Sequence, residues 1–417
     1  MKPDPRRAVR PLGSHAAGAR HAAHLRALNI DRVLSVAMDR PGTFTRAELI
    51  EATGLSAPTV GSLSSHLIQT GVIRDLGTGP SRGGRRPSLM EFNARHGYVA
   101  GIDLGPTRTR LAVADLRGDP IAHRIVSTPS EEEPAQLLGK IAAALRSLMD
   151  EAHVPVEGLL LVVAGAPGAV DIKNGTVAFA PNLPRWTDVA MRLLLQRALG
   201  GTPVMVENDV NLALLGEHWR GAARGHDTCA FIFVGTGIGA AILIDRELHR
   251  GNHFMAGEIG MMCMGPQYID MDFGTRGCLE TLAGLEALRV RWPQAARDDP
   301  AGWLTDLIAA ADAGDPHARQ AVGETARLIG IATANVVTVV DPSLIVLGGA
   351  MFAQAGPLVG HVRAVVESIA RTPTQVVVSA LGKEAPLAGC LLVAAMEARK
   401  HLRQSLRSAA GLVRMVQ

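Results

Sequence analysis

Cysteine is scarce in this chain: Cys229, Cys263, Cys278 and Cys390 are the only four in 417 residues, and no two form a CxxC pair. Such spacing excludes a disulfide framework and a zinc ribbon, and fits a reducing compartment. Also missing is any apolar run long enough to cross a bilayer, so no membrane partner is expected. The first residues, MKPDPRRAVRPLGSHAAGARHAAH, are basic and rich in Pro, Gly and Ala but lack the continuous apolar core of a secretory signal. Residues 1–24 are therefore expected to be a basic mobile tail, and the protein to be cytoplasmic. No GxxxxGK[ST], HExxH or GxSxG occurs, which removes the P-loop, metalloprotease and serine-hydrolase signatures.

What is present is unevenly charged. Residues 1–95 carry fourteen Lys/Arg against seven Asp/Glu, while the remaining 322 residues carry 28 against 32. A basic front on a mildly acidic body points to a nucleic-acid module joined to something else.

The front, residues 25–94, reads as a winged helix-turn-helix. NIDRVLSVAM places Ile30, Val33, Leu34 and Ala37 on one helical face. Thr45-Arg-Ala-Glu48 is a capping box opening a second helix, which Gly54 ends. Ser56 caps a third, with Pro58 in its first turn and Gly71 beyond its end. Val60, Leu63 and Leu67 face inward, leaving Ser56, Ala57, Thr59, Ser62 and His66 toward a partner. Strands VIRDL and PSLMEF flank a Gly-rich turn whose Arg82, Arg85 and Arg86 suit a narrow, A·T-rich minor groove. The partner implied is double-stranded DNA.

The body, residues 95–417, contains one unit written twice. GIDLGPTRTRLAVADLRGD (101–119) and FIFVGTGIGAAILIDRELH (231–249) share strand, Gly turn, strand and Asp, with Gly105 and Asp115 at the spacing of Gly235 and Asp245. Apolar strands alternate with helices in each half, which gives α/β layers. Two such lobes, about 95–207 with the C-terminal helix 388–405 and about 208–387, would form a cleft with a Gly-rich phosphate turn on each side. The candidate phosphate-loop residues are Asp103, Gly105, Thr107, Gly235, Thr236 and Gly237.

These motifs resemble the ROK family, which contains sugar-responsive transcriptional repressors and sugar kinases. The resemblance runs from about Leu25 to Ala398 through DLGPTRTRLAVADLRG, APGAVD, APNLPRW, VENDVN, GTGIGAAI, AGEIG, GCLE and LIVLGGA. It implies an actin-like ATPase fold of two ribonuclease-H-like lobes, and its front matches the winged helix of the repressor branch. By resemblance Asp209 would be the base of a kinase, Asn208, Glu258 and Glu280 would bind sugar hydroxyls, and Gly168 and Asn182 would border the same pocket. Asp209 also reads as the N-cap of a helix.

Three departures separate this chain from the family's kinases. Where they read DxGGTK, this chain reads Asp103-Leu-Gly-Pro-Thr-Arg108; Pro106 removes a backbone N–H from the phosphate loop, which argues against ATP as a cofactor. The family's zinc ligands fall on Met261, Met271, Phe273 and Cys278, so a lost metal site refilled by apolar side chains is expected, with no metal or other cofactor. Met261 also removes a polar contact from the sugar site. Finally, the recognition helix has Ala57 and Ser62 where arginines are frequent in the family, and Gly61 costs it about 1 kcal/mol against alanine. Readout therefore shifts to the wing, with A·T preference and strong salt dependence.

The expectation is a DNA-binding regulator, a repressor of carbohydrate-related genes, with a sugar or sugar-phosphate effector between the lobes. A homodimer or homotetramer would meet a palindromic operator. The rivals are a sugar kinase using Asp209, and a regulator without a sugar response.

Overall fold

The computed structural model describes residues 13–79, 86–129, 131–274, 276–292, 302–353 and 356–412. They fall into two compact units. One comprises the chain up to Gly97, Asp115–Arg117 and the stretch from Ala395 onward; the other comprises Tyr98–Ala114 and Gly118–Ala394.

The first unit runs α1 (Gly13–Asp39), β1 (Thr43–Thr45), α2 (Arg46–Thr53), α3 (Ala57–Gln69), β2 (Ile73–Thr78) and β3 (Ser88–Phe92), with an antiparallel sheet in the order β1-β3-β2. Sequence missed β1, which is only three residues long. It also placed a mobile tail on residues 13–24, which are helix: no proline follows Pro11 there, and alanine, the best helix former, recurs. Residues 1–12 lie outside the described set. The capping box forms as expected, with the Glu48 N–H donating to Thr45 Oγ1 at 3.3 Å and the Thr45 N–H donating to Glu48 Oε2 at 2.7 Å. Gly54 leaves α2 at φ 66°, and Ser56 caps α3. Ile30, Leu34, Leu49, Val60, Leu63 and Leu67 are buried in the small core. At the base of the β2–β3 hairpin, Asp75 accepts from the Gly77 N–H at 2.9 Å and the Ser88 hydroxyl at 3.0 Å. The hairpin tip, with Arg82 and Arg85, lies outside the described residues.

In the second unit the first sheet contains β4 (Tyr98–Leu104), β5 (Arg108–Asp115), β6 (Pro120–Ser127), β7 (Leu159–Ala166) and β11 (Val204–Asn208). A small separate sheet is made by β8 (Ala169–Asp171), β9 (Thr176–Phe179) and β10 (Thr187–Val189). The second large sheet contains β12 (Cys229–Val234), β13 (Ile238–Ile244), β14 (Glu247–Leu248), β15 (Leu344–Gly348) and β16 (Gln375–Val378). The large sheets have equivalent orders, β6-β5-β4-β7-β11 and β14-β13-β12-β15-β16. In each, the last two strands join parallel to the first (β4 with β7 and then β11; β12 with β15 and then β16). The repeat read at 101–119 and 231–249 is thus one sheet topology used twice.

Helices α4 (Pro134–Glu151) and α5 (Met191–Ala198) cover one face of the first sheet, through Leu138, Ile141, Leu145 and Leu195. Helix α6 (Asp209–Arg220) leaves β11 and packs Val210, Ala213 and Leu214 against Phe231, Ala241 and Leu243 of the second sheet. The opposite face of that sheet is covered by α7 (Cys278–Ala283), α8 (Leu285–Arg291), α9 (Trp303–Asp312), α10 (Pro316–Val340), α11 (Ala350–Ala353) and α12 (Gly356–Ile369). The last helix, α13 (Ala385–Leu412), is longer than the expected 388–405. Its start packs on the first sheet as expected: a Cβ on Gly101 would lie 2.9 Å from that of Cys390. Its basic end is not a bare solvated face, because Arg403 forks onto Asp31 of α1 with two 2.8 Å bonds and Arg399 lies 3.8 Å from Asp39.

Glu217, on α6, is fully buried. It accepts from the Ser379 hydroxyl at 2.5 Å and from the N–H groups of Ala222 and Leu381 at 2.6 and 2.8 Å. Glu217→Ala leaves these donors unpaired and is expected to cost about 2–3 kcal/mol, seen as a lower urea midpoint; an unchanged midpoint would contradict this role.

Candidate effector site and DNA-facing surface

The cleft of the second unit is lined from both lobes by Pro106, Gly168, Asn182, Asn208, Asp209, Phe233, Thr236, Gly237, Glu258 and Glu280, among others, and encloses about 590 Å³ of space partly open to solvent. All six candidate sugar residues meet here. Gly168 is required by geometry: at φ 79° a Cβ would lie 2.2 Å from the Phe179 carbonyl oxygen.

Asn208, not Asp209, caps α6: its Oδ1 accepts from the Asn211 N–H at 2.9 Å, while its Nδ2 donates to the Gly168 carbonyl at 2.9 Å. The cap sits one residue earlier than expected because β11 ends in extended geometry at Asn208, φ −66° and ψ 138°. Asp209 is thereby released from capping and lies at the first turn of α6, facing the cleft. Burial, then the nearby Asp103 carboxylate, push its pKa up to about 8. Asp103 is raised to about 6, chiefly by burial, against the pull of Arg110, whose Nη1 lies 3.1 Å from Asp103 Oδ2. Burial raises Glu258 and Glu280 as well. Glu280 Oε2 accepts from the Ile238 N–H at 2.9 Å, while its buried Oε1 has no hydrogen-bond partner among the described residues.

Two residues supporting this site carry no local sequence signal. Arg250 donates from Nε to Glu207 Oε2 at 2.7 Å, and its Nη2 is equally close. The other oxygen of Glu207 holds the Asn208 N–H at 3.0 Å and the Asn211 side chain at 2.9 Å. Glu207 belongs to the first sheet, and Arg250 opens the loop that carries Glu258 in the second lobe. One ion pair thus fixes the two halves of the pocket against each other.

The phosphate turns are arranged differently from an open phosphate grip. The Gly105 N–H donates to the Arg108 carbonyl at 3.1 Å, and the Gly235 N–H to the Gly237 carbonyl at 2.9 Å. Pro106 stands in the cleft wall, Thr107 and Arg108 are exposed, and Asp103 is held by Arg110. Thr236 lies at the rim. The donors of these turns do not fit a nucleotide phosphate.

The degenerate metal positions differ from the expected apolar refill. Met261 and Met271 are each 55% exposed, and Phe273 is half-buried, 6.1 Å from Tyr268 in an edge-on contact. Only Cys278 is buried, and its sulfur accepts the Met264 N–H at 3.4 Å. The segment lies on the surface because its loops close over α7 with Met262 and Met264, leaving the other methionines outside. Two thioethers, a phenyl ring and one thiol do not fit zinc. Among the described residues no cluster of three or more His, Cys, Asp or Glu could hold a metal ion.

On α3 the exposed face is centred on Pro58, Ser62, Ser65 and Gln69. Ala57 is exposed too, whereas Thr59 and His66 lie half-buried at the edge. The Ser56 and Thr59 hydroxyls are bonded to each other at 2.8 Å as part of the cap, so they are less available than expected. Sequence reading overlooked Ser65 and Gln69. It also overlooked Arg26 and Asn29 of α1, which share a groove with Pro58, Thr59 and Ser62. Arg86 is exposed.

A family model described as ROK family matches residues 99–397, and the chain belongs to that family. The xylose repressor of Caldicellulosiruptor bescii is 30% identical over 335 residues, covering 78% of this chain and 83% of that protein. The ROK hexokinase of Thermus thermophilus superposes with a TM-score of 0.60 at 31% identity, covering 73% of this chain and 99% of its own. A ROK family transcriptional regulator, a homologue of the E. coli MLC protein, gives a TM-score of 0.73 at 23% identity, a likeness of fold, covering 91% of this chain and 99% of its own.

A carboxyl whose folded pKa is raised opposes folding increasingly as pH climbs from its unfolded value, about 3.9, to its folded value. Asp209→Asn is therefore expected to raise the thermal midpoint relative to wild type at pH 8–9 and leave it nearly unchanged at pH 4; equal midpoints at pH 9 would contradict the shift. Arg250→Ala is expected to weaken sugar binding on the order of tenfold, or about 1.4 kcal/mol, measured by calorimetric titration. Unaltered affinity would remove Arg250 from the site.

Proposed function

We propose that the chain is a sugar-responsive transcriptional repressor of the ROK family, acting in the cytoplasm. The observation that carries this reading is the first unit. The Thermus hexokinase is nearly fully matched yet covers only 73% of this chain, whereas the likeness to the regulator extends over 91%. Helix α2, a tight turn, α3 and the β2–β3 hairpin are read as a winged helix-turn-helix, with α3 in the major groove and the hairpin arginines along the minor groove.

On α3, Ser62, Ser65 and Gln69 are the base-reading residues; a glutamine amide pairs two-pronged with adenine N6 and N7, in keeping with an A·T-rich site. Arg82, Arg85 and Arg86, with Arg26, supply phosphate or minor-groove contacts. A two-fold oligomer on a palindrome completes the arrangement. The effector lies in the cleft on Asn182, Asp209, Glu258 and Glu280, and the C. bescii relative's name points to xylose or a similar sugar.

A second reading, sugar kinase, is favoured by one feature: Asp209 faces the pocket. Against it stand Pro106, the inward-turned glycine N–H groups and the Asp103–Arg110 pair. Sugar-dependent ADP release abolished by Asp209→Asn would support it.

The test of the repressor reading is capture of fragmented genomic DNA by the purified protein at two salt concentrations. A few fragments sharing an A·T-rich palindrome are expected. Gln69→Ala should relax that motif at one position per half-site. Arg86→Ala should weaken all sites alike and lower the salt slope by about 1. No shared motif would overturn the reading.

A further inference from the structure

The walls of the cleft carry charge of one sign. Asp209, Glu258 and Glu280 line it together with Asn182, Asn208 and Thr236, and no Arg, Lys or His is among the described lining residues. The cations on the neighbouring strand do not change this. Arg110 lies between Asp103 at 3.1 Å and Glu384 at 3.8 Å, and Arg108 points to solvent outside the lining. Where the first phosphate turn would offer a backbone donor, Pro106 offers a ring.

The pocket is also short of donors rather than acceptors. Glu280, 9% exposed, keeps Oε1 unpartnered, a costly arrangement until a ligand hydroxyl or ammonium donates to it. Asn208 has already committed its Oδ1 and one donor to protein.

Resting on the sugar-effector reading above, we infer that the cleft selects an unphosphorylated ligand, a neutral polyol or an amino sugar, and rejects phosphate esters. Each hydroxyl of a neutral sugar donates to a carboxylate or amide oxygen. An ammonium in place of a hydroxyl meets the same acceptors with opposite charge. A phosphate dianion beside Asp209 meets carboxylates in a poorly hydrated cleft, with no cation to pair with it.

The experiment is calorimetric titration of the full chain at pH 7.5 with matched pairs: xylose and xylose 5-phosphate, glucose and glucose 6-phosphate, glucosamine and glucosamine 6-phosphate. The expected result is that at least one free sugar binds and its ester binds at least about tenfold more weakly, equivalent to 1.4 kcal/mol. An ester binding as well as its parent sugar would overturn the charge selection and leave the sugar-effector reading standing. Binding of none of the six would sink both. Glu258→Gln, which removes one negative charge and keeps the shape, should narrow the gap within a pair. If the gap is unchanged, charge is not its cause and the inference fails.

Discussion

The junction Glu207-Asn208-Asp209 is the constraint on which the rest of the second unit depends. Three consecutive residues end the last strand of the first sheet, cap the helix that packs on the second, and present a carboxylate to the space between them. Such a compact turn works because the side chains divide the labour. Glu207 gathers the Asn208 and Asn211 groups and is anchored by Arg250, and Asn208 satisfies both the helix terminus and the Gly168 turn. With those polar groups settled, Asp209 is left without a local obligation.

That arrangement opposes stability at the site. Several carboxylates are held in a poorly hydrated cleft where burial drives each toward its protonated form. A folded protein tolerates such groups when a ligand is the missing partner, and the unpaired Glu280 oxygen is the plainest instance. On the opposite wall the polar atoms are satisfied internally: two glycine N–H groups bond within their own turns, and Asp103 is held by Arg110. The sugar side of the cleft thus waits for donors, while the phosphate side is closed on itself. This contrast fits a binding site better than a phosphoryl-transfer site, which needs both sides open.

Much of this was legible in the residues. The Thr45–Glu48 box, Gly54 and the Ser56 cap follow from local rules, and the spacing shared by Gly105 and Gly235 announced two equivalent sheets because strand and turn are local events. The six pocket residues came from motif resemblance rather than from physics, and the structure brings them together. What escaped the sequence is long-range. Arg250 and Glu207 are 43 residues apart in the chain, and nothing local ties them. The face of α3 was assigned from one half of the helix, so Ser65 and Gln69 in its last turns were overlooked. The start of α1 was misjudged because a basic Ala/Gly-rich stretch looks like tail until its helix propensity is weighed. The methionines at the old metal positions were taken for core, yet hydrophobicity alone does not say which residues of a loop are covered.

The central claim is that the cleft and the DNA-facing surface belong to one linked equilibrium. Linkage makes such coupling reciprocal, so it is visible from either ligand. The most direct measurement is the affinity of a bound free sugar for the protein alone and for the protein saturated with a captured operator fragment. The account requires sugar to bind the DNA complex more weakly, by the same factor by which sugar weakens operator binding. Equal sugar affinity in the two states would contradict it, whatever the strength of either interaction alone.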